Sequence, residues 1–332
     1  MKSIRRVRVE GSNSSVERLE ETVRPEPPRP LDEALPEIEE WLKKLEEDDP
    51  ENAGSYRLLR EIFRVQAKIE REALERLRDK SEHLTKLARQ VPRKRKPLLE
   101  LAGGLPSELL DDAWLREKML ELLRSARNAG MNVESRAAPL EAPIEKGLIS
   151  LSQMLLEIMI GRQDLINAWA GAVSAPRDTI KALVFWLLQP LVSAVKLASA
   201  GGIKWAQELW QQGVCPVCGA PASLGYQKGE GRHQFMRCRI CGLEWRFPRA
   251  RCPRCGADKP GSVVFYTPLP DKPWLRLYKC KECGWEWKIV DEEHKDAVQH
   301  GLPPHELYDV LTYPLDLVSE LIRERRGNGR HE

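Results

Sequence analysis

Between residues 215 and 246 the chain contains Cys215-Pro216-Val217-Cys218-Gly219-Ala220 and then Arg237-Cys238-Arg239-Ile240-Cys241-Gly242-Leu243-Glu244-Trp245-Arg246. Between 252 and 288 the pattern returns as Cys252-Pro253-Arg254-Cys255-Gly256-Ala257 and Lys279-Cys280-Lys281-Glu282-Cys283-Gly284-Trp285-Glu286-Trp287-Lys288. Both copies fit one template: C-P-x-C-G-A, a spacer, a basic residue, C, a basic residue, x-C-G-x-E-W and a basic residue. All 8 cysteines of the 332-residue chain lie in these four C-x-x-C pairs. Glycine follows every pair, at Gly219, Gly242, Gly256 and Gly284.

Two residues between thiols let both sulfurs face one ion, and the next position often needs a backbone conformation open to glycine. The spacing therefore predicts two tetrathiolate metal sites. The first comprises Cys215, Cys218, Cys238 and Cys241; the second comprises Cys252, Cys255, Cys280 and Cys283. Inner spacers of 19 and 24 residues suit a β-hairpin carrying the second knuckle, the zinc-ribbon or rubredoxin-like plan. A thioredoxin-type redox pair needs a βαβ setting and would not occur four times. Four thiolates accept iron or zinc, so the sulfurs do not select the metal. They also close the coordination sphere, which argues for a structural or redox role over a hydrolytic one.

Working outward, residues 1–30 end in Arg24-Pro25-Glu26-Pro27-Pro28-Arg29-Pro30, an extended arm in which proline blocks a helix. Residues 31–212 form an α-helical domain. Leu58, Ile62, Val65, Ile69 and Leu77 recur at helical spacing. Ser55 and Ser107 are candidate N-caps, Pro92 a stop and Gly130 an exit. Single helices are expected over 151–173 and 176–200. Arg93-Lys94-Arg95-Lys96 reads as a solvated loop. Thr179 to Ile203 is apolar but holds Lys181, Pro190 and Lys196, and each charge at membrane depth costs about 3 kcal/mol. It is read as buried helices, with no membrane insertion. The first metal module is expected over 213–248 and the second over 249–302. A C-terminal helix over 303–326 is broken or kinked by Pro314, and a frayed tail follows. The fold class is thus an all-α N-terminal domain, two tandem small β modules and a C-terminal helix.

The formal charge of +3 conceals a division. Residues 213–290 carry 14 Lys and Arg against 6 Asp and Glu, and the remainder is acidic. Interleaved aromatics such as Trp245, Trp274, Trp285 and Trp287 suit stacked bases or a protein interface. No phosphate loop or nucleophile elbow is present, and none of the six histidines sits in a catalytic motif, so no enzyme is expected. His294, His300 and His305 read as surface residues near a helix start. Met1 to Glu10 has no apolar signal core, which points to the cytoplasm, where thiols stay reduced.

Two C-P-x-C-G modules after a helical region resemble the formate dehydrogenase accessory (FdhE-type) family. Trp205 to Cys218 (WAQELWQQGVCPVC), C-x-x-C-G-x-E-W and Leu307 to Glu320 carry the resemblance. It implies a cytoplasmic maturation factor that binds the catalytic subunit of a formate dehydrogenase or related molybdenum- or tungsten-pterin oxidoreductase. It further implies iron in rubredoxin-like sites made by the eight cysteines, and partner binding sensitive to redox state. The alternatives are a nucleic-acid-binding zinc-ribbon protein and a rubredoxin-like electron carrier.

Overall fold

The computed structural model describes residues 23–129 and 138–328. Most of the expected arm, Gly130 and residues 329–332 lie outside the described residues. Among the described residues, eleven helices precede the cysteine region: α1 (Leu31–Asp48), α2 (Ala53–Arg76), α3 (Ser81–Ala88), α4 (Val91–Lys94), α5 (Leu98–Ala102), α6 (Asp112–Asn128), α7 (Ala138–Glu145), α8 (Leu151–Met159), α9 (Asp164–Val173), α10 (Arg177–Ala198) and α11 (Ala200–Leu209). Ile62, Val65, Ile69 and Ala73 form the buried stripe of α2, which packs against α1 and α10.

Helix α10 is the axle of this half. It is long and apolar enough to cross a membrane, yet 67% of its most apolar window is buried inside the protein. Pro190 lies in its interior without ending it. Proline deprives the carbonyl four residues earlier of its donor. Here the Gln66 side chain of α2 donates to Trp186 O at 2.9 Å and restores that bond. The same amide donates to Gln189 Oε1 at 2.9 Å, and Gln189 in turn donates to Arg239 O in the first ribbon at 3.0 Å. One glutamine therefore heals the proline break and links the helices to the cysteine region.

Several local expectations change. Asp111, not Ser107, caps α6 by accepting from Trp114 N at 2.7 Å, because Ser107 is used in a 3₁₀ turn. The α2 helix begins at Ala53, ahead of Ser55. The stretch expected as one helix over 151–173 is two, separated at Gly161, whose φ of +77° ends α8. Arg93 and Lys94 lie in α4 and are followed by Arg95 in a left-handed conformation, while Lys96 pairs with Glu100. The stretch expected as a C-terminal helix over 303–326 is broken at Thr312, just ahead of Pro314, which sits in the first turn of the closing helix where a missing N–H is harmless.

Six strands follow: β1 (Leu224–Lys228), β2 (His233–Arg237), β3 (Glu244–Arg246), β4 (Val263–Tyr266), β5 (Leu275–Cys280) and β6 (Glu286–Asp291). They form one sheet in the order β3-β2-β1-β6-β5-β4. Each ribbon is antiparallel within itself, and a parallel β1–β6 pair, Leu224 opposite Lys288, fuses the two. Side chains alternate across the sheet. Met236, Trp245, Trp287 and Ile289 join the core shared with the helices. Tyr226, Phe235, Leu275 and Val290 face the opposite side. That side is covered by α12 (Lys295–His300), α13 (Tyr308–Leu311) and α14 (Tyr313–Asn328).

Replacing Gln66 by Leu strands the Trp186 carbonyl in the interior, which should lower stability by about 2 kcal/mol in urea titrations. Adding P190A returns an N–H to that carbonyl. The double variant should recover part of the loss, and strictly additive effects would exclude this account.

Candidate metal centres

The four knuckles repeat one hydrogen-bonded turn. The first amide of each pair donates across the turn: Cys215 N to Ala220 O, Cys238 N to Leu243 O, Cys252 N to Ala257 O and Cys280 N to Trp285 O, at 2.8–2.9 Å. The trailing glycine N–H returns to the first cysteine's carbonyl in all four, with the glycines at φ of +69° to +77°. Backbone N–H groups of Val217, Ile240 and Arg254 approach the sulfurs of Cys215, Cys238 and Cys252 at 3.4 Å. Such amides favour a thiolate.

Knuckle one meets knuckle two, and three meets four. Within each set of four, the sulfurs lie within 4.8 Å of one another. Sγ separations are 3.5 Å for Cys215–Cys241 and Cys218–Cys238, 3.6 Å for Cys252–Cys283 and 3.7 Å for Cys255–Cys280. A tetrahedral ion with metal–sulfur bonds of about 2.3 Å spaces its sulfurs about 3.8 Å apart. The donor set fits such an ion and is far from disulfide contact. Either cluster could hold a metal ion.

The clusters differ in setting. In the first, Cys215, Cys238 and Cys241 are buried. Helix α5 presents its leading amides to the knuckle: Leu98 N donates to Pro216 O at 2.8 Å and Leu99 N to Val217 O at 2.9 Å. In the second, Cys255 is exposed and Cys283 half-buried. Arg249, Arg254, Lys259 and Lys281 stand exposed on the same module. Burial and the neighbouring thiols raise Cys215, whereas hydrogen bonds from Cys215, Cys218 and Cys241 hold Cys238 low against the effect of burial. The Ala257 amide brings Cys255 down to about 7.

The rest of the template also has a physical account. The basic residue before the second knuckle and the following Glu are cross-strand partners, Arg237 with Glu244 and Lys279 with Glu286. The tryptophans expected to offer contacts are largely interior: Trp245, Trp274 and Trp287 are buried, so none can stack on a base. Trp285 is half-buried under the Arg254 guanidinium, 5.2 Å from the ring centroid.

His305 departs from its expected place on the surface. It is half-buried between two carboxylates, Nδ1 at 2.7 Å from Glu244 Oε1 and Nε2 at 2.9 Å from Glu292 Oε1. Desolvation opposes its charge, but the Glu244 and Glu292 contacts prevail and raise it to about 9. Glu244 is driven down to about 2: burial resists ionisation, and His305, Arg237 and Tyr226 overcome it. Its Oε2 also accepts the Glu26 amide at 3.3 Å, so the motif glutamate fastens both the arm and the C-terminal segment to the first ribbon. The repeated Glu was visible in the template; its partner 61 residues later carried no signal. Of the other two histidines in that group, His294 caps α12 and His300 is exposed.

A helical platform bearing two tetracysteine ribbons in one sheet is the class that this fold and these clusters define. No protein-family model matches the chain. Over 144 residues it is 28% identical to the Protein FdhE homolog of Aquifex aeolicus, covering 42% of this chain and 47% of that relative. To Protein FdhE of Escherichia coli it is 25% identical over 139 residues, 41% of this chain and 44% of that protein. The matches thus span less than half the length of these curated relatives. The crystal structure of the FdhE protein from Pseudomonas aeruginosa shares the fold, with a TM-score of 0.54 and 20% identity over 91% of this chain and 95% of that one. The chain is thus similar in sequence to FdhE proteins over less than half its length and shares the fold of one of them.

A histidine with its folded pKa raised from about 6.5 to about 9 stabilises fully below pH 6.5, and that contribution is lost as pH rises through 9. His305→Gln should therefore be less stable than the parent at pH 6 by on the order of 3 kcal/mol. The gap should close between roughly pH 6.5 and 9. Urea midpoints across that range check it; a constant gap would contradict the charged clasp.

Proposed function

We propose that the chain is a cytoplasmic, non-catalytic accessory factor in the maturation of a formate dehydrogenase or related molybdenum- or tungsten-pterin oxidoreductase. Its ribbons dock on that enzyme's catalytic subunit. Cys215, Cys218, Cys238 and Cys241 hold one iron or zinc ion, and Cys252, Cys255, Cys280 and Cys283 hold another. Each ion supplies a tetrahedral cross-link, and iron would add a one-electron couple. Four protein thiolates leave no coordination position for substrate, which supports a binding role over catalysis.

The observation that carries this reading is the unequal setting of two alike clusters. The first is built into the interface with α5 and α10 and suits a structural role. The second offers Cys255 and a cationic rim to the outside, which suits a docking face that responds to oxidation. The partner class rests on the likeness to FdhE proteins. A rubredoxin-like electron carrier is the second reading, favoured by the same exposed thiol; a reversible visible spectrum at a measurable potential would select it.

Two measurements test the proposal. A chelator applied to the metal-loaded chain should remove one ion quickly and the other slowly, with Cys255→Ser abolishing the fast phase alone. Equal rates would oppose the division of roles. In co-expression with a tagged formate dehydrogenase catalytic subunit, the parent chain should be captured. The C255S/C283S variant should lose capture while keeping its helical circular dichroism; unchanged capture would overturn docking through the second ribbon.

A further inference from the structure

We propose that the free edge of β4 joins two copies of this chain, strand against antiparallel strand about a two-fold axis at Val264, so that their sheets become one. The inference does not depend on which protein the ribbons serve.

The six-stranded sheet has two edges, β3 and β4. They are managed differently. Strand β3 has three residues, two of them Glu244 and Arg246, and α11 packs against it. Among the described residues, β4 pairs with β5 alone. Proteins usually blunt an open edge with a lysine, a bulge or a proline within the strand. Val263-Val264-Phe265-Tyr266 has no such device, and no charged residue occurs from Pro260 to Pro270. Phe265 and Tyr266 are 50% and 51% exposed. An edge of this kind invites a further strand.

The ladder shows which groups it offers. Lys281 N donates to Ser262 O at 2.8 Å, so these opposite residues form a hydrogen-bonded pair. Bonded and non-bonded pairs alternate along antiparallel strands, and Val264 and Tyr266 therefore bond to β5 through Lys279 and Leu277. The N–H and C=O groups of Val263 and Phe265 are directed to the open side.

The sequence around them is complementary to itself. Pro260 and Pro268 each stand four residues from Val264. With the axis at Val264, Val263 of one copy lies opposite Phe265 of the other, and the reverse. Every outward amide and carbonyl of β4 then finds a partner. Phe265 against valine is a favourable aromatic and β-branched cross-strand pair. Tyr266 falls opposite Ser262, and prolines bound the pairing equally at both ends. No charge lies within the paired stretch to repel a second copy. A patch that matches itself is what a two-fold dimer requires, whereas an unrelated partner strand would not call for this symmetry.

The test uses the full, metal-loaded chain with reductant present, so that the exposed Cys255 cannot cross-link copies. Light scattering on a sizing column should give a mass rising from monomer towards dimer between about 1 and 100 µM. Val264→Glu should be monomeric, because two carboxylates would meet on the axis, whereas within one copy the new carboxylate faces Lys279. Val264→Lys should be monomeric for the same reason of like charge. An equimolar mixture of these two variants should recover the dimer. Val263→Pro removes an outward N–H that β5 does not use, so it should abolish pairing and keep the parent's circular dichroism. That variant serves if the Val264 variants fail to fold. The proposal is overturned if the parent remains monomeric to the top of that range. It is equally overturned if a folded Val264→Glu, Val264→Lys or Val263→Pro chain dimerises as the parent does, or if the mixture stays monomeric.

Discussion

Four sulfurs held 3.5–3.7 Å from their neighbours cannot all be anionic unless a cation lies among them. Much of the C-terminal half is arranged around that constraint. Each knuckle closes on itself through two backbone hydrogen bonds, and a left-handed glycine turns the chain away after the second thiol. The β-hairpins set the distance between knuckles. The helical domain then adds what the ribbons lack, because small β modules have little core of their own. In the first ribbon that support is direct: amides of α5 meet knuckle carbonyls, and the Gln66–Gln189 relay meets Arg239.

The charge distribution follows the same division. The excess of basic residues over 213–290 is partly spent inside the fold, on the cross-strand pairs with Glu244 and Glu286 and on Lys288, which pairs with Asp309 and Asp316. Of those that remain exposed, Arg249, Arg254, Lys259 and Lys281 stand on the second module, where two added thiolate charges per divalent ion would otherwise be unbalanced. A basic, aromatic composition is therefore no sign of a nucleic-acid surface here. Most of the aromatics are core and many of the cations are partners of buried acids.

The cysteine template was legible because it is local: spacing, glycine and repetition each act within a few residues. The pairing of knuckles, the helical character of the first half and the burial of α10 followed from it or from periodicity. Long-range compensation was not legible. Pro190 looks like a helix breaker until Gln66, 120 residues earlier in the chain, is seen on the orphaned Trp186 carbonyl. His305 looks like a surface residue until Glu244 and Glu292 enclose it. The same limit hid the union of the ribbons, since nothing in β1 announces that β6 will lie beside it.

That union gives the duplicated head a collective fate. Strand β1 is flanked by its own hairpin on one side and by the other copy's last strand on the other, 64 positions away in the register. A chain whose second ribbon has not formed presents β1 as a bare edge, with unpaired amides and carbonyls beside Tyr226. Such an edge is a template for another chain's strand. An incompletely folded copy would be sticky as well as inactive, and its natural failure would be pairing with its own kind.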